Sequence, residues 1–524
     1  MSCPVFPIEI QYIILQNLIQ DGGKLANFAT VSRTWQEKIE QHTFARIRLT
    51  ESRLAEFDAM TSRNRSLVRY LWLCLELERY DCTTCAHEAE VFTTSPRENT
   101  LIVTAIHNLF SVLSTWESSN NLSLDITVYS PSDSEHWFPH LTFEPDTPWS
   151  TSDPGQEVEQ TGLVRAADDP HDWVTSPLGL ISPDYALLKV FGDIMTLGPF
   201  DHDKQEDEWW QRLPLVSAVT NVLLRQQNRR RWKPRTLAQM LARLPRLRGL
   251  HYEPWREWAD EEQESRDESH YATCITTTLS AGSLLLTFTL DITHLGLLQY
   301  LTSTELRNLT IFENFNQQYE EIFNYECEPI RTPSTALGRM LLKVSLNLES
   351  LSGSFMVDAW DFFNTHDPSS QKWPNLTSLV LTSQLLAPDQ SHQHIMNMLK
   401  RAGLAATRMP KLKTMEIWNG REKLAALFKY ELLGEDQPAI ITWKSTWDLI
   451  LQPSVIRTWE AVMARCCGSG LTIVYEALES DDILSHGDAI VRLSVSELVV
   501  RPISLQQIQR DCNYHWFHDI FNSD

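Results

Sequence analysis

The stretch Leu306-Arg307-Asn308-Leu309-Thr310-Ile311-Phe312-Glu313-Asn314 sets apolar side chains at Leu306, Leu309 and Ile311 and ends on an asparagine. The Leu309-x-Ile311 step has the period of two that turns both side chains to one face of a strand. The spacing returns at Leu247-x-x-Leu250-x-Tyr252, Leu348-x-x-Leu351, Leu376-x-x-Leu379-x-Leu381 and Leu412-x-x-Met415-x-Ile417. Successive starts lie 59, 42, 28 and 36 residues apart, so the period is irregular. Only Asn314 supplies the asparagine. Helical stretches separate the copies, among them 236–244 (TLAQMLARL) and 394–402 (HIMNMLKRA). Upstream, Leu71, Leu73, Leu75 and Leu77 alternate as a strand would, and so do Leu122, Leu124, Ile126 and Val128. Ala45, Ile47 and Leu49 alternate briefly before a helix that carries Leu54, Phe57 and Met60. Strand and helix in alternation place the chain in the mixed α/β class.

The repeated spacing resembles the strand of a leucine-rich repeat. The resemblance implies an irregular solenoid, in which stacked units bury a continuous core and leave one strand face open. An ordinary α/β domain with Leu-rich strands is the alternative. In either case the open surface is expected to bind and not to catalyse.

The N-terminus carries a second pattern. Pro7 and Glu9 mark a helix start, with proline near the first helical position and an acid in the first turn. Ile10, Ile13, Ile14 and Leu18 then fall on one helical face, and Asp21-Gly22-Gly23 breaks it. A second helix carries Leu25, Phe28 and Ala29, followed by Val31, and a third places Trp35 four residues before Ile39. Three short helices cannot bury much surface unaided. Large apolar side chains gain roughly 1.5–3 kcal/mol each on full burial, and a protein partner is one place to bury them.

Phe6-Pro7-Ile8-Glu9-Ile10, Ile13-Ile14-Leu15, Leu18 and the run Leu25-Ala26-Asn27-Phe28-Ala29-Thr30-Val31-Ser32-Arg33-Thr34-Trp35 together resemble the F-box family. That motif runs Leu-Pro-x-Glu-Ile/Leu, an apolar helix, then Leu-x-x-Phe/Ala-x-x-Val-Ser/Cys-Arg/Lys-x-Trp. Phe6 departs from the commoner leucine and keeps its bulk. Segments 44–50, 67–73, 252–258 and 311–316 also look like F-box proteins of filamentous fungi. The resemblance implies a three-helix module that docks onto the Skp-type adaptor of a cullin–RING ubiquitin ligase, with a second domain holding the substrate. It places Phe6, Pro7, Ile10, Ile14, Leu18, Phe28, Val31 and Trp35 at positions that pack the module or face the adaptor. Sequence does not separate those two jobs.

Composition bounds the rest. The 524 residues hold 45 Lys plus Arg against 68 Asp plus Glu, a net charge of −23. Phosphate contact depends on clustered cations, so a general nucleic-acid binder is not expected. A hydrophobic share of 42% and 18 tryptophans exclude a mostly disordered chain. The first residues lack a basic region and a cleavage site, so no signal peptide is expected. Nine cysteines, sparse and odd in number, suit a reducing compartment, cytoplasmic or nuclear. In the stretch 271–303 the only charged residue is Asp291, but the run is rich in Ser and Thr. It reads as a buried strand or core helix, so no membrane span is expected.

The common enzyme signatures G-x-S-x-G, G-x-x-x-x-G-K-[ST], H-E-x-x-H and G-x-G-x-x-G do not occur. Cys82-Thr83-Thr84-Cys85 with His87 lacks a second ligand pair for zinc and reads as surface thiols. Adjacent Cys466 and Cys467 read as packing or free thiols, and Asp201-His202-Asp203 as a solvated loop. No cofactor is expected. The basic run Arg229-Arg230-Arg231-Trp232-Lys233-Pro234-Arg235, with Arg225 before it, reads as a solvated helix end. Nuclear import and pairing with the chain's own acids are the alternatives. Trp255, Trp258 and Phe315 are aromatic candidates for a binding surface or for the core. The acidic run 260–268 (DEEQESRDE) is expected to favour a target with a basic surface.

The resulting division is 1–45 an F-box, 46–130 the start of a repeat-like α/β domain, 131–212 an acidic loop-rich insertion, and 213–524 a leucine-rich-repeat-like substrate-binding domain. The expected function is a non-catalytic substrate-recognition subunit of an SCF-type (Skp–cullin–F-box) ubiquitin ligase. Its expected partners are the Skp-type adaptor, through it a cullin, and a protein target of unknown identity. A scaffold that uses the F-box without ubiquitin transfer is the alternative.

Overall fold

The computed structural model describes residues 7–20, 25–80, 94–117, 121–138, 141–146, 174–176, 179–181, 190–195, 198–257, 260–268, 293–316, 331–364, 371–434, 437–466 and 470–512. The chain opens with helix α1 (Ile8–Gln20), a 3-10 turn (Leu25–Thr30) and α2 (Arg33–Ala45). Strand β1 (Arg46–Thr50), α3 (Glu51–Thr61), β2 (Tyr70–Glu76), α4 (Pro96–Leu113) and β3 (Leu122–Tyr129) follow. A small hairpin, β4 (Val174–Ser176) and β5 (Gly179–Ile181), stands apart from the main sheet.

The chain continues through α5 (Asp203–Arg212), β6 (Val219–Leu224), α6 (Pro234–Leu241), β7 (Gly249–Tyr252), α7 (Asp260–Asp267), α8 (His294–Leu301) and β8 (Asn308–Phe312). Then come α9 (Thr335–Ser345), β9 (Ser350–Ser354), α10 (Ala359–Phe363), β10 (Ser378–Thr382), α11 (His392–Ala406) and β11 (Thr414–Arg421). The last elements are β12 (Leu424–Glu431), β13 (Ala439–Ser445), α12 (Pro453–Cys466), β14 (Leu471–Ala477), α13 (His486–Leu493) and α14 (Pro502–Cys512).

Twelve strands form one sheet in the order β1-β2-β3-β6-β7-β8-β9-β10-β11-β12-β13-β14. Neighbours are parallel except for β12, which pairs antiparallel with β11 and with β13. Parallel neighbours need a crossover, and crossovers are right-handed. When strands add in chain order, every crossover therefore falls on the same side of the sheet. This mixed α/β arrangement packs α3, α4, α6, α8, α9 and α11 against one face.

The sequence repeats meet there in register. Leu250 pairs with Leu309, Leu309 with Leu351, Leu351 with Leu379 and Leu379 with Met415. One row on, Tyr252, Ile311, Gly353, Leu381 and Ile417 are aligned in the same way. The leading leucines, Leu247, Leu306, Leu348, Leu376 and Leu412, are all buried. Gly353 interrupts the aliphatic row because a Cβ there would come within 2.9 Å of Leu341 Cδ2.

The second face of the sheet is not open. A largely parallel sheet is stable when both faces are covered, and here the chain covers its own. Phe312, Val380, Trp418, Ala425 and Leu427 project from β8, β10, β11 and β12 into a core built with α13 and α14. Across β2 and β3, Tyr70, Trp72, Cys74 and Tyr129 form a smaller cluster under Phe143. The expectation of an open strand face fails because α13 and α14 turn back over it, and nothing in the repeat spacing encodes that return.

Other expectations fall partly outside the described residues: Cys82, Cys85, His87, Cys467 and Trp258 lie there, as does 271–292. The remainder of the low-charge stretch includes α8, which buries Leu297, Leu298 and Leu301. Among the described residues no helix is long and apolar enough to cross a membrane.

Candidate functional site

Two regions concentrate unusual side-chain environments. The first is N-terminal. Ser32 caps α2, its Oγ accepting from Trp35 N at 3.2 Å, and Pro7 O accepts from Gln11 N at 3.1 Å to start α1. Leu15 and Ile39 are buried and hold α1 and α2 in place. Leu25, Phe28 and Ala29 lie on a 3-10 turn and not on the expected second helix. The six residues leave room for one tight turn before Ser32 must cap the next helix.

The expected partner-facing residues divide on exposure. Ile10 is 41% exposed, Phe28 37% and Val31 62%. Pro7 is exposed, Ile14, Leu18 and Trp35 are half-buried, and Phe6 lies outside the described residues. Phe28 and Trp35 pack ring to ring at 6.5 Å. The structure adds two exposed residues to this set, Tyr12 and Ile13, the latter 52% exposed. Ile13 shares the apolar periodicity of α1 and was legible. Tyr12 sits off that stripe, with Lys38 Nζ 5.9 Å from its ring centre. Among the described residues, five of the thirteen exposed large apolar side chains fall between Ile10 and Val31.

The second region lies where β6, β7 and β8 end. The basic run is buried, not solvated. Arg225 Nε donates to Asp125 at 2.8 Å, and Arg230 grips Asp133 through two nitrogens at 2.5 and 3.0 Å. Arg231 meets Glu257 at 2.6 Å. Arg229 pairs with Asp511 of α14, its guanidinium 4.6 Å from the Trp255 ring centre and 4.8 Å from that of Phe138. Pairing with the chain's own acids, the alternative reading, is what these arginines do. Burying a guanidinium without a carboxylate would cost several kcal/mol, roughly, so each is matched.

Asp125 illustrates the balance. Burial pushes its carboxyl above the ordinary range, against the pull of Arg225 and a 2.5 Å hydrogen bond from Tyr70 Oη. Glu253 goes the other way. Burial would raise it, but His251 at 2.6 Å, Ser504 Oγ at 2.5 Å and the backbone N–H of Arg501 at 2.9 Å hold it below its usual value. Because Arg501 and Ser504 flank the start of α14, this carboxylate stands at a helix N-terminus, where negative charge is favoured.

Asn314 ties the layers together. Its Nδ2 donates to Gln226 Oε1 at 3.0 Å and its Oδ1 meets His486 Nε2 of α13 at 2.9 Å. The His486 ring stacks on Phe315 at 4.3 Å, and burial pushes its pKa down to about 3. Trp255 and Phe315 are therefore core residues. The cavity beside Arg230, Arg231, Arg266 and His294 measures about 20 Å³, room for a water and not for a substrate.

The acidic run is drawn inward only in part, and Asp260, Glu262 and Glu264 stay exposed. Asp267 pairs with Arg331 and His294, and Arg266 with Asp193 and Glu257. A basic target therefore loses part of the surface it was expected to meet. Asp203 faces Arg235 at 3.6 Å, and His202 Nδ1 caps α5 by accepting from Gln205 N. The Cys74 thiol is pushed by burial up to about 12, which leaves it a poor nucleophile. Among the described residues no group of three or more His, Cys, Asp or Glu side chains could hold a metal ion.

Comparison with known proteins adds one match. Residues 301–501 are similar to a family described as "Family of unknown function (DUF6546)". The matched segment runs from the end of α8 through β14 and α13, so it contains the in-register strands β8–β11 and α13 of the C-terminal cover, while α14 lies beyond it. No curated protein and no solved structure matches the chain.

Proposed function

We propose that the protein is a non-catalytic substrate-recruiting subunit of an SCF-type ubiquitin ligase. The observation that carries this reading is the coincidence of exposure and motif: Ile10, Phe28 and Val31 occupy F-box-like positions and stay exposed on the N-terminal helices. Apolar side chains concentrated on so short a segment mark an interaction surface. Residues 1–45 would act as the F-box, docking onto a Skp-type adaptor and through it a cullin. The remaining sheet, read as an irregular leucine-rich-repeat-like unit, would hold the target. The chain-order stacking of β6 to β11 and the Leu-x-x-Leu register support that part. Function would come from proximity, since tethering a target beside the ubiquitin-loaded enzyme raises its effective concentration without new chemistry.

Co-purification of the full chain with a Skp-type adaptor tests the docking. Ile10→Asp and Val31→Asp place a charge on an exposed apolar position and should abolish capture without unfolding the protein. Adaptor binding unchanged in both folded variants would overturn the proposal. A scaffold without ubiquitin transfer is the second reading, favoured by α13 and α14 occupying the strand face that a receptor of this kind would offer. Under that reading, raising the protein's level leaves the abundance of its captured partners unchanged.

A further inference from the structure

With the strand face closed, the helical side is left to meet a target. One cleft there sets cations beside aromatic rings. It lies between α10, α11 and the chain around Trp373, with a volume of about 420 Å³. Trp360, Phe363 and Trp373 form aromatic walls, and Lys400, Arg401 and Arg408 bring three positive charges to it. A volume of this size, apolar walls and a few convergent charged groups are the usual makings of a binding pocket.

The charges are not explained by packing alone. Elsewhere in this protein five arginines that are buried or nearly so face carboxylates: Arg225, Arg229, Arg230, Arg231 and Arg331 are all paired. Among the described residues, Lys400 and Arg401 have no carboxylate within ion-pair distance. Arg401 instead stands 5.4 Å from the ring centre of half-buried Trp360. Lys400 and exposed Leu404 lie four residues apart on α11, and Arg408 follows just past its C-terminal end. The favourable field at a helix C-terminus accounts for a cation at Arg408, but not for two more a turn or two earlier beside a tryptophan. In a chain of net charge −23, this is a local positive site against an acidic background.

We propose that this cleft binds a segment of a partner protein in which an acidic side chain adjoins an aromatic one. The carboxylate would meet Lys400 and Arg401 while the ring fills the space between Trp360 and Trp373. As the target-binding site, it rests on the substrate-receptor reading given above; as a peptide site, it stands on the cleft itself.

Isothermal titration of the full-length protein with capped pentapeptides tests it. The probes are acetyl-Gly-Glu-Phe-Glu-Gly-amide, its Lys-Phe-Lys counterpart and its Glu-Ala-Glu counterpart. The first should bind, the second should not, and the third should bind about tenfold more weakly or worse. The double variant Lys400→Glu, Arg401→Glu should lose the Glu-Phe-Glu peptide and gain the Lys-Phe-Lys one. Trp360→Ala should weaken binding while leaving the charge preference intact. Binding should also weaken as salt rises. No binding to the first peptide, equal binding of the acidic and basic peptides, or indifference to the double variant would each overturn the proposal. Because the adaptor is absent from this titration, the two readings fail separately. No adaptor capture by the wild-type protein, or capture unchanged in Ile10→Asp and Val31→Asp, with peptide binding retained, sinks the ligase reading alone. Variant-sensitive adaptor capture with no peptide binding sinks the cleft alone.

Discussion

The N-terminal helices and the strand-end belt invert the usual distribution of side chains in opposite ways. In the first, Ile10, Ile13 and Val31 are left exposed to solvent. In the second, Arg225, Arg229, Arg230 and Asp125 are buried. The difference lies in what completes each arrangement. Each buried arginine named here finds its carboxylate within the same chain, so the belt is a closed unit that fixes α14 and the loops after β6 and β7. Among the described residues the exposed apolar side chains find nothing comparable, which is why the proposed docking function is placed there. A buried charge is thus read as structure and an exposed apolar group as function.

That contrast can be broken by unmatching the belt. Asp125→Ala leaves Arg225 buried without its carboxylate and should cost about 3–5 kcal/mol, read by chemical denaturation. The joint replacement Asp125→Leu, Arg225→Met removes both charges and should cost much less. Equal losses would show that the pair matters through shape and not through charge.

A smaller effect is expected from pH. His486 is held neutral by burial, with its pKa lowered to about 3. The unfolded chain takes up this proton at about pH 6.5, so between the two values the unfolded state binds more protons and stability rises with pH. The contribution is complete above pH 6.5 and is progressively lost below it, amounting to about 2 kcal/mol between pH 7 and pH 5. Denaturation of wild type and His486→Phe at both pH values measures it: the variant should lose this part of the slope. An unchanged slope would remove His486 from the closure of α13 over the sheet.

The N-terminal side should respond more weakly in stability and more strongly in binding. Ser32→Ala removes the α2 cap and should cost about 1 kcal/mol. Ile10→Asp and Val31→Asp should change stability least, within about 0.5 kcal/mol, because both side chains are exposed. Their loss of adaptor capture would then be a surface effect. A large fall in stability would instead move both residues into the packing of the module and erase the contrast.

Much of the architecture was legible because local spacing encodes it. Leu250, Leu309, Leu351, Leu379 and Met415 were picked out by spacing alone, and they stand side by side in the sheet. The helices between them, and the strands at Leu71–Leu75 and Leu122–Val128, follow from the same periodicities. The basic run misled because its spacing looks like that of a solvated helix end. Its carboxylates come from Asp125, Asp133 and Asp511, one of them nearly three hundred residues away. The cleft at Lys400 was missed for a similar reason: its tryptophans and its cations lie on separate elements.

By itself, then, the sequence determined the alternation of strand and helix, the register of the central strands and the apolar character of the first helices. These depend on interactions within a few residues, or on rows of like side chains that can align in only one way when one face must be buried. The tertiary structure alone decided how the second strand face was covered, which charges were paired and which apolar residues remained exposed. All three are set by where distant segments return, above all α13 and α14 over the strands, and a one-dimensional pattern does not record that meeting.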